Sequence, residues 1–239
     1  MTFLVNPFGF AAGGPPAFVG GNKVENINGG GGSLSLTSLT GGLSSAPAAG
    51  DVIIVAAAYG IQSLRDASWP PSGFTSLADL VSDDSFDCRL KVAYKVATGS
   101  ETNININGTA NVTDAAGACV HVWRNIDNST PIDVTTTTAT GIDAAQPDPP
   151  AITPTTAGAI IIVIGGAGGG TLAAFSGPSM TGGLAYLFDA WAVDTTDGHC
   201  AMYAKTNWTS GAFNPVAFSG GGGAGTSAWC AATVVLRPA

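Results

Sequence analysis

One order of strand-like segments is spelled out twice in this chain. The run PAAGDVIIVAAAYG at 47–60 is echoed by PTTAGAIIIVIGGAG at 154–168. An aromatic turn with Pro and Gly follows each, WPPSGF at 69–74 and FSGPSM at 175–180. Next comes a strand led by cysteine and carrying a lysine, CRLKVAYK at 88–95 and CAMYAK at 200–205. A small-residue loop precedes a closing aliphatic strand that ends in arginine, ACVHVWR at 118–124 and AATVVLR at 231–237. Each series holds too few strands to bury both faces of its own sheet. The economical solution is one structure built from both series.

The segments read as strands by periodicity and by their turn-forming neighbours. Residues 51–59 are a β-branched run between Gly50 and Gly60. Leu90, Val92, Tyr94 and Val96 alternate on one face, and Ala118, Val120 and Val122 oppose Cys119, His121 and Trp123. No segment keeps a 3.6-residue period over three turns; only Leu77 to Val81 predicts a short helical turn. The expected fold is all-β: an antiparallel β-sandwich, jelly-roll or immunoglobulin-like, spanning 33–239. Its two similar strand series occupy about 33–124 and 154–239, joined by a crossover at 125–153 rich in Thr, Asp and Pro.

Residues 1–32 stand apart. Phe3, Leu4, Val5, Phe8, Phe10, Phe18 and Val19 lie among Gly and Pro, and Pro15 and Pro16 exclude a helix. The expectation is an extended N-terminal arm with Phe3, Phe8, Phe10 and Phe18 as anchors for a partner. The alternative is a first edge strand of the domain.

Charge is scarce. Charged residues make up 10% of the chain, against about 25% in ordinary domains. Eight Lys and Arg in a chain of net charge −8 cannot build a phosphate-tracking stripe, so nucleic acid and anionic membrane surfaces are not expected partners. No run reaches the roughly 18 apolar residues of a membrane span. The first residues lack a basic region, and Asn6, Pro7 and Gly9 interrupt any apolar core, so no signal peptide is expected. Cys88, Cys119, Cys200 and Cys230 form no C-x-x-C pair and read as buried free thiols.

Candidate chemistry is thin. The two histidines, His121 and His199, come with no G-x-S-x-G elbow. The glycine run after Ile164 fails the dinucleotide-binding spacing, and Gly177, Pro178, Gly182 and Gly183 break the helix that motif needs. The clusters Asp79, Asp83, Asp84, Asp87 and Asp189, Asp194, Asp197 read as solvated turn formers rather than hydrolase acids or calcium ligands. No catalytic residue, cofactor or metal is therefore expected. Trp69 and Trp208 sit at predicted loops or strand ends, where they would either cap the core or offer a sugar platform.

The strings PPSGFTSLA, AYKVATGSE and RNIDNSTPID, with their surroundings over about 35–239, resemble a loose set of all-β proteins. These belong to tailed-bacteriophage and prophage structural modules and to some bacterial surface proteins. The resemblance implies a β-sandwich in a virion or adhesive setting, without an active site. The resulting expectation is a virion protein that decorates or cements a capsid. It would contact the major capsid protein or other virion proteins and act as a homo-oligomer such as a trimer. The alternative is a tail-fibre, spike or cell-surface domain that binds glycans around Trp69 and Trp208.

Overall fold

The computed structural model describes residues 14–27, 31–60, 69–83, 87–106, 114–142, 146–169, 175–176, 184–190, 196–209, 211–220 and 228–239. Among them there is no helix. The strands are β1 (Ala17–Ile27), β2 (Gly32–Ser35), β3 (Val52–Tyr59), β4 (Thr75–Ser82), β5 (Cys88–Val96), β6 (Asn103–Ile106) and β7 (Asp114–Arg124). They continue as β8 (Thr137–Gly141), β9 (Ala159–Gly169), β10 (Phe175–Ser176), β11 (Ala185–Ala190), β12 (Thr196–Trp208), β13 (Ser219–Gly220) and β14 (Trp229–Leu236).

The repeat in the sequence is a repeat in topology. The first half pairs in the order β1-β7-β3-β5-β4, and the second in the order β8-β14-β9-β12-β11. Both layers are antiparallel and open. A two-residue parallel contact joins them, Thr196 and Asp197 of β12 beside Asp114 and Ala115 of β7.

Alternation along each strand splits the core into three parts. Ile54, Leu90, Val92 and Trp123 of the first half share one cluster with Ile162, Ile164, Met202 and Val234 of the second. The other face of the first layer carries Ile53, Val55, Val120 and Val122, covered by Leu34 of β2, Leu36 just after it, and Ile104 and Ile106 of β6. The other face of the second layer carries Ile161, Val163 and Val235, covered by Ile152, Phe213 and Phe218. Strands β3, β9 and β14 are thus buried at every position. That is why they read as unbroken apolar runs instead of alternating ones. Each buried Ile or Val contributes about 1.5–3 kcal/mol.

Glycine lets the layers touch. A Cβ on Gly198 of β12 would overlap the Ala58 carbonyl and lie 2.6 Å from Tyr59 Cα, both in β3. No side chain can occupy that space, because backbone cannot yield as a flexible side chain can.

The two closing arginines anchor matching corners. Arg124 grips the Asp51 carboxylate through Nε and Nη2, each at 2.8 Å, and that carboxylate also accepts the Ala48 N–H at 2.7 Å. Arg237 donates through Nε to Asp133 at 3.2 Å, and Asp133 accepts the Thr155 N–H at 2.6 Å. Ala48 and Thr155 occupy the same position, four residues before β3 and β9 respectively. The acid comes from a different place each time, adjacent to β3 in one half and from ahead of β8 in the other.

Three sequence expectations are corrected here. Residues 17–27 are not part of a free arm: they form β1, which pairs with β7 from Ala17↔Arg124 to Ile27↔Ala116, so the edge-strand alternative holds for this stretch. Phe3, Phe8 and Phe10 lie outside the described residues. Leu77–Val81 is strand, not a helical turn, because β4 pairs with β5 and Asp79 binds Arg89 at 2.9 and 2.8 Å. The crossover contains β8, which pairs with β14 from Thr137↔Thr233 to Gly141↔Trp229.

Gly198→Ala should cost at least the 1–3 kcal/mol typical of overpacking; an unchanged urea midpoint would show that the layers do not approach this closely. Burial alone would push the Asp133 carboxyl up, but hydrogen bonds from the Thr155 and Thr156 hydroxyls and N–H groups hold it at about 2. Its folded value therefore lies below its unfolded value, and the stability it contributes is present above pH ~4 and lost as pH falls towards 2. Thermal melts of Asp133→Asn between pH 5 and 2 should show a flatter acid limb, the remaining slope coming from other shifted groups, among them Glu101, also held at about 2, Asp127 and His121.

Candidate functional site

Both histidines, with Lys23, Cys119, Cys200 and Asp189, gather where β1 of the first half meets β11 of the second. Lys23 of β1 reaches across and donates to the Asp189 carbonyl at 2.8 Å. Phe18 lies at the centre of an aromatic cluster drawn from both halves. Its ring centroid is 4.3 Å from Tyr186, 4.9 Å from Trp123 and 5.2 Å from His121. Phe188 closes the group, edge-on to His121 at 5.5 Å. Gly21 is required beneath it, since a Cβ there would overlap the Phe188 ring.

A surface pocket of about 460 Å³ opens beside this cluster, lined by Pro16, Phe18, Leu43, Tyr186, Thr206 and Asn207. Two of these residues are strained. Tyr186 holds φ at 61° and Asn207 at 57°. Left-handed backbone is tolerable for asparagine and costly for tyrosine, so the surrounding packing imposes it. Leu43, 67% exposed, stands at the rim.

Burial shifts several groups in and around this seam. Burial depresses His121 to about 3, opposed only in part by the Tyr186 backbone. Neither His121 nitrogen, nor Trp123 Nε1, has a hydrogen-bond partner of normal geometry among the described residues. Burial and then the charge of Asp189 raise Tyr203 to about 12. Burial and then the Cys200 thiol push the Cys119 thiol up. Asp189 pairs with the buried His199 ring. The seam supplies an aromatic wall with the polar Thr206 and Asn207 at its edge, a surface suited to binding.

No family model, curated protein or solved structure matches this chain.

The expected site residues are dispersed. Phe18 is 5% exposed and belongs to the shared core, so it cannot serve as a free anchor. Trp69 is half-buried against the outer cluster of the first layer, with Lys91 Nζ 5.8 Å from its ring. Trp208 is half-buried against the outer cluster of the second layer, edge-on to Phe213 at 5.2 Å, and its Nε1 donates to the Gly211 carbonyl at 3.0 Å. Both tryptophans therefore cap the core. Of the acidic clusters, Asp79 is bound to Arg89 and Asp189 to His199, while Asp84 and Asp194 lie outside the described residues. No group of three metal-ligating side chains forms among the described residues.

Sequence reasoning missed Tyr186, Phe188 and Asn207. Nothing in LAYLFDA marks the strand as a site; the left-handed Tyr186 sits at the register shift between Ala185 and Phe188 in the pairing of β11 with β12. His121 was visible as the odd polar residue of an apolar strand.

The unfolded His121 imidazole titrates near 6.5 and the folded one at about 3, so the unfolded chain binds more protons between those values. Stability is full above pH ~6.5 and falls on acidification, by up to about 1.4 kcal/mol per pH unit. His121→Leu should remove that slope between pH 6.5 and 4.5 in urea titrations. An identical slope in both proteins would mean that His121 is not buried neutral.

Proposed function

We propose that this chain is a bacteriophage virion structural protein that decorates or cements the capsid. The observation that carries the reading is the contrast between a finished domain and an apolar leading segment. The described residues, which begin at Gly14, already cover both faces of both layers. Residues 1–13 nevertheless hold Phe3, Leu4, Val5, Phe8 and Phe10. They join the domain at Gly14 and Pro15, which are exposed next to the pocket rim. A large apolar surplus on a completed core calls for another surface, and a neighbouring virion subunit supplies one.

In this reading the fold is a β-sandwich of two similar layers. Each half keeps its strands in its own layer, whereas the immunoglobulin fold exchanges strands between sheets. The domain acts as a rigid block and does no chemistry. Its cations are largely committed within the fold, with Lys23, Arg89, Lys95, Arg124 and Arg237 all in ion pairs. Attachment then rests on apolar contact repeated over many copies, with a homo-oligomer such as a trimer multiplying it. Strand addition of residues 1–13 to an exposed sheet edge on the major capsid protein is the simplest form of that contact.

A variant lacking residues 1–13 should melt like the full chain and fail to occupy particles in a sedimentation assay. Deleting residues 1–32 should instead unfold the domain, because β1 goes with it. Normal occupancy by the shorter deletion would remove the proposal. Retention of a labelled glycan by the isolated domain would favour the tail-fibre, spike or cell-surface reading, with the Tyr186 pocket rather than Trp69 or Trp208 as its seat.

A further inference from the structure

The four cysteines occupy two equivalent places. Cys88 opens β5 and meets Cys230 of β14; Cys200 of β12 meets Cys119 of β7. Exchanging the halves carries β5 to β12 and β14 to β7, so one pair maps onto the other. Each pair joins the first half to the second. Cys230 Sγ lies 3.5 Å from the Cys88 carbonyl, and Cys119 Sγ lies 3.4 Å from the Cys200 carbonyl. All four thiols are free and buried.

The backbone beside each pair is drawn close by glycine. A Cβ on Gly168 would overlap the Asp87 carbonyl, one residue before Cys88. A Cβ on Gly117 would overlap the Ala190 carbonyl, and Ala190 is the register partner of Cys200. Two stacked sheets ordinarily stand about 10 Å apart, whereas a disulfide needs Cα atoms within about 7 Å. The glycines draw the backbones together beside both pairs, and in each pair one thiol reaches the other cysteine's carbonyl.

We propose that Cys88–Cys230 and Cys119–Cys200 are two disulfide-forming sites, quasi-equivalent staples between the halves of the fold. In each, a disulfide oxidant such as oxidised glutathione takes two electrons. One protein S–S bond forms, the oxidant's S–S bond breaks, and the two thiol protons pass to the two glutathione thiols released. The bridges would span sequence separations of 142 and 81 residues, long loops for which restriction of the unfolded chain is greatest. Burial, and then the partner thiol, push Cys88 and Cys119 up in the folded state, so thiolate attack belongs to folding or transient opening. Oxidising surroundings then leave the domain locked. The inference stands independently of the virion reading, since it needs only the folded chain.

The test uses the full-length chain, refolded with oxidised and reduced glutathione, then denatured, treated with N-ethylmaleimide and digested for mass spectrometry. The expected result is no maleimide adduct and crosslinked peptides joining 88 to 230 and 119 to 200. The bridged protein should melt several degrees above the reduced one. Cys230→Ala should keep the 119–200 bridge and take a single adduct at Cys88. Four adducts, any other pairing such as 88 to 119, or a bridged form that melts below the reduced form would overturn the proposal.

Discussion

Burial of the face shared by the two halves is the constraint on which the rest of the structure depends. Five strands make one layer, and a layer of this kind exposes an apolar face that water will not tolerate. Ile54, Leu90 and Val92 have their partners in Ile162, Met202 and Val234, which lie more than sixty residues away in sequence. The inner face of neither half is covered until both are in place. The expected consequence is cooperative folding with a high proportion of long-range contacts, a combination that makes folding slow.

The small residues serve this close approach. Glycine in a strand loses about 0.5–1 kcal/mol relative to alanine, and this chain carries 34 glycines. Gly117, Gly168 and Gly198 offset that cost because each removes a Cβ that would strike opposing backbone. The same shortage of bulk brings Cys88 towards Cys230 and Cys119 towards Cys200. At the other extreme, the seam between β1 and β11 is filled by five aromatic rings, and there the strain shows at Tyr186. The corners are fastened electrostatically. Asp51 and Asp133 are almost fully buried, and each carboxylate is held by its arginine together with backbone N–H donors and, at Asp133, the Thr155 and Thr156 hydroxyls.

Much of this was legible from residues alone. The strands at 52–59, 159–169 and 229–236 announced themselves as apolar runs because they are buried on both faces, and the one at 88–96 by the alternation of Leu90, Val92, Tyr94 and Val96. The echo between ACVHVWR and AATVVLR correctly marked β7 and β14 as equivalent. The alternation of Cys119, His121 and Trp123 placed them on one face, which proved to be the inner one. The edge strands were the hardest to read. β1 was legible only as the alternative to an arm, and β4, β8 and β11 are partly exposed and compositionally mixed, so their strand character comes from the neighbour they pair with rather than from their own pattern.

The sequence by itself therefore determined the all-β class, the twofold order of strands and the central members of each layer. Those features follow from local periodicity and turn chemistry, which need no knowledge of distant residues. Only the tertiary structure decided that Phe18 is a core residue, that Trp69 and Trp208 cap the outer clusters, and that Arg237 finds its acid at Asp133. It also decided which cysteine meets which, and that Tyr186 and Asn207 line one pocket. Each of these depends on contacts between segments far apart in the chain. The identity of a residue fixes what it can bond to, and the packing of the layers fixes what comes within reach.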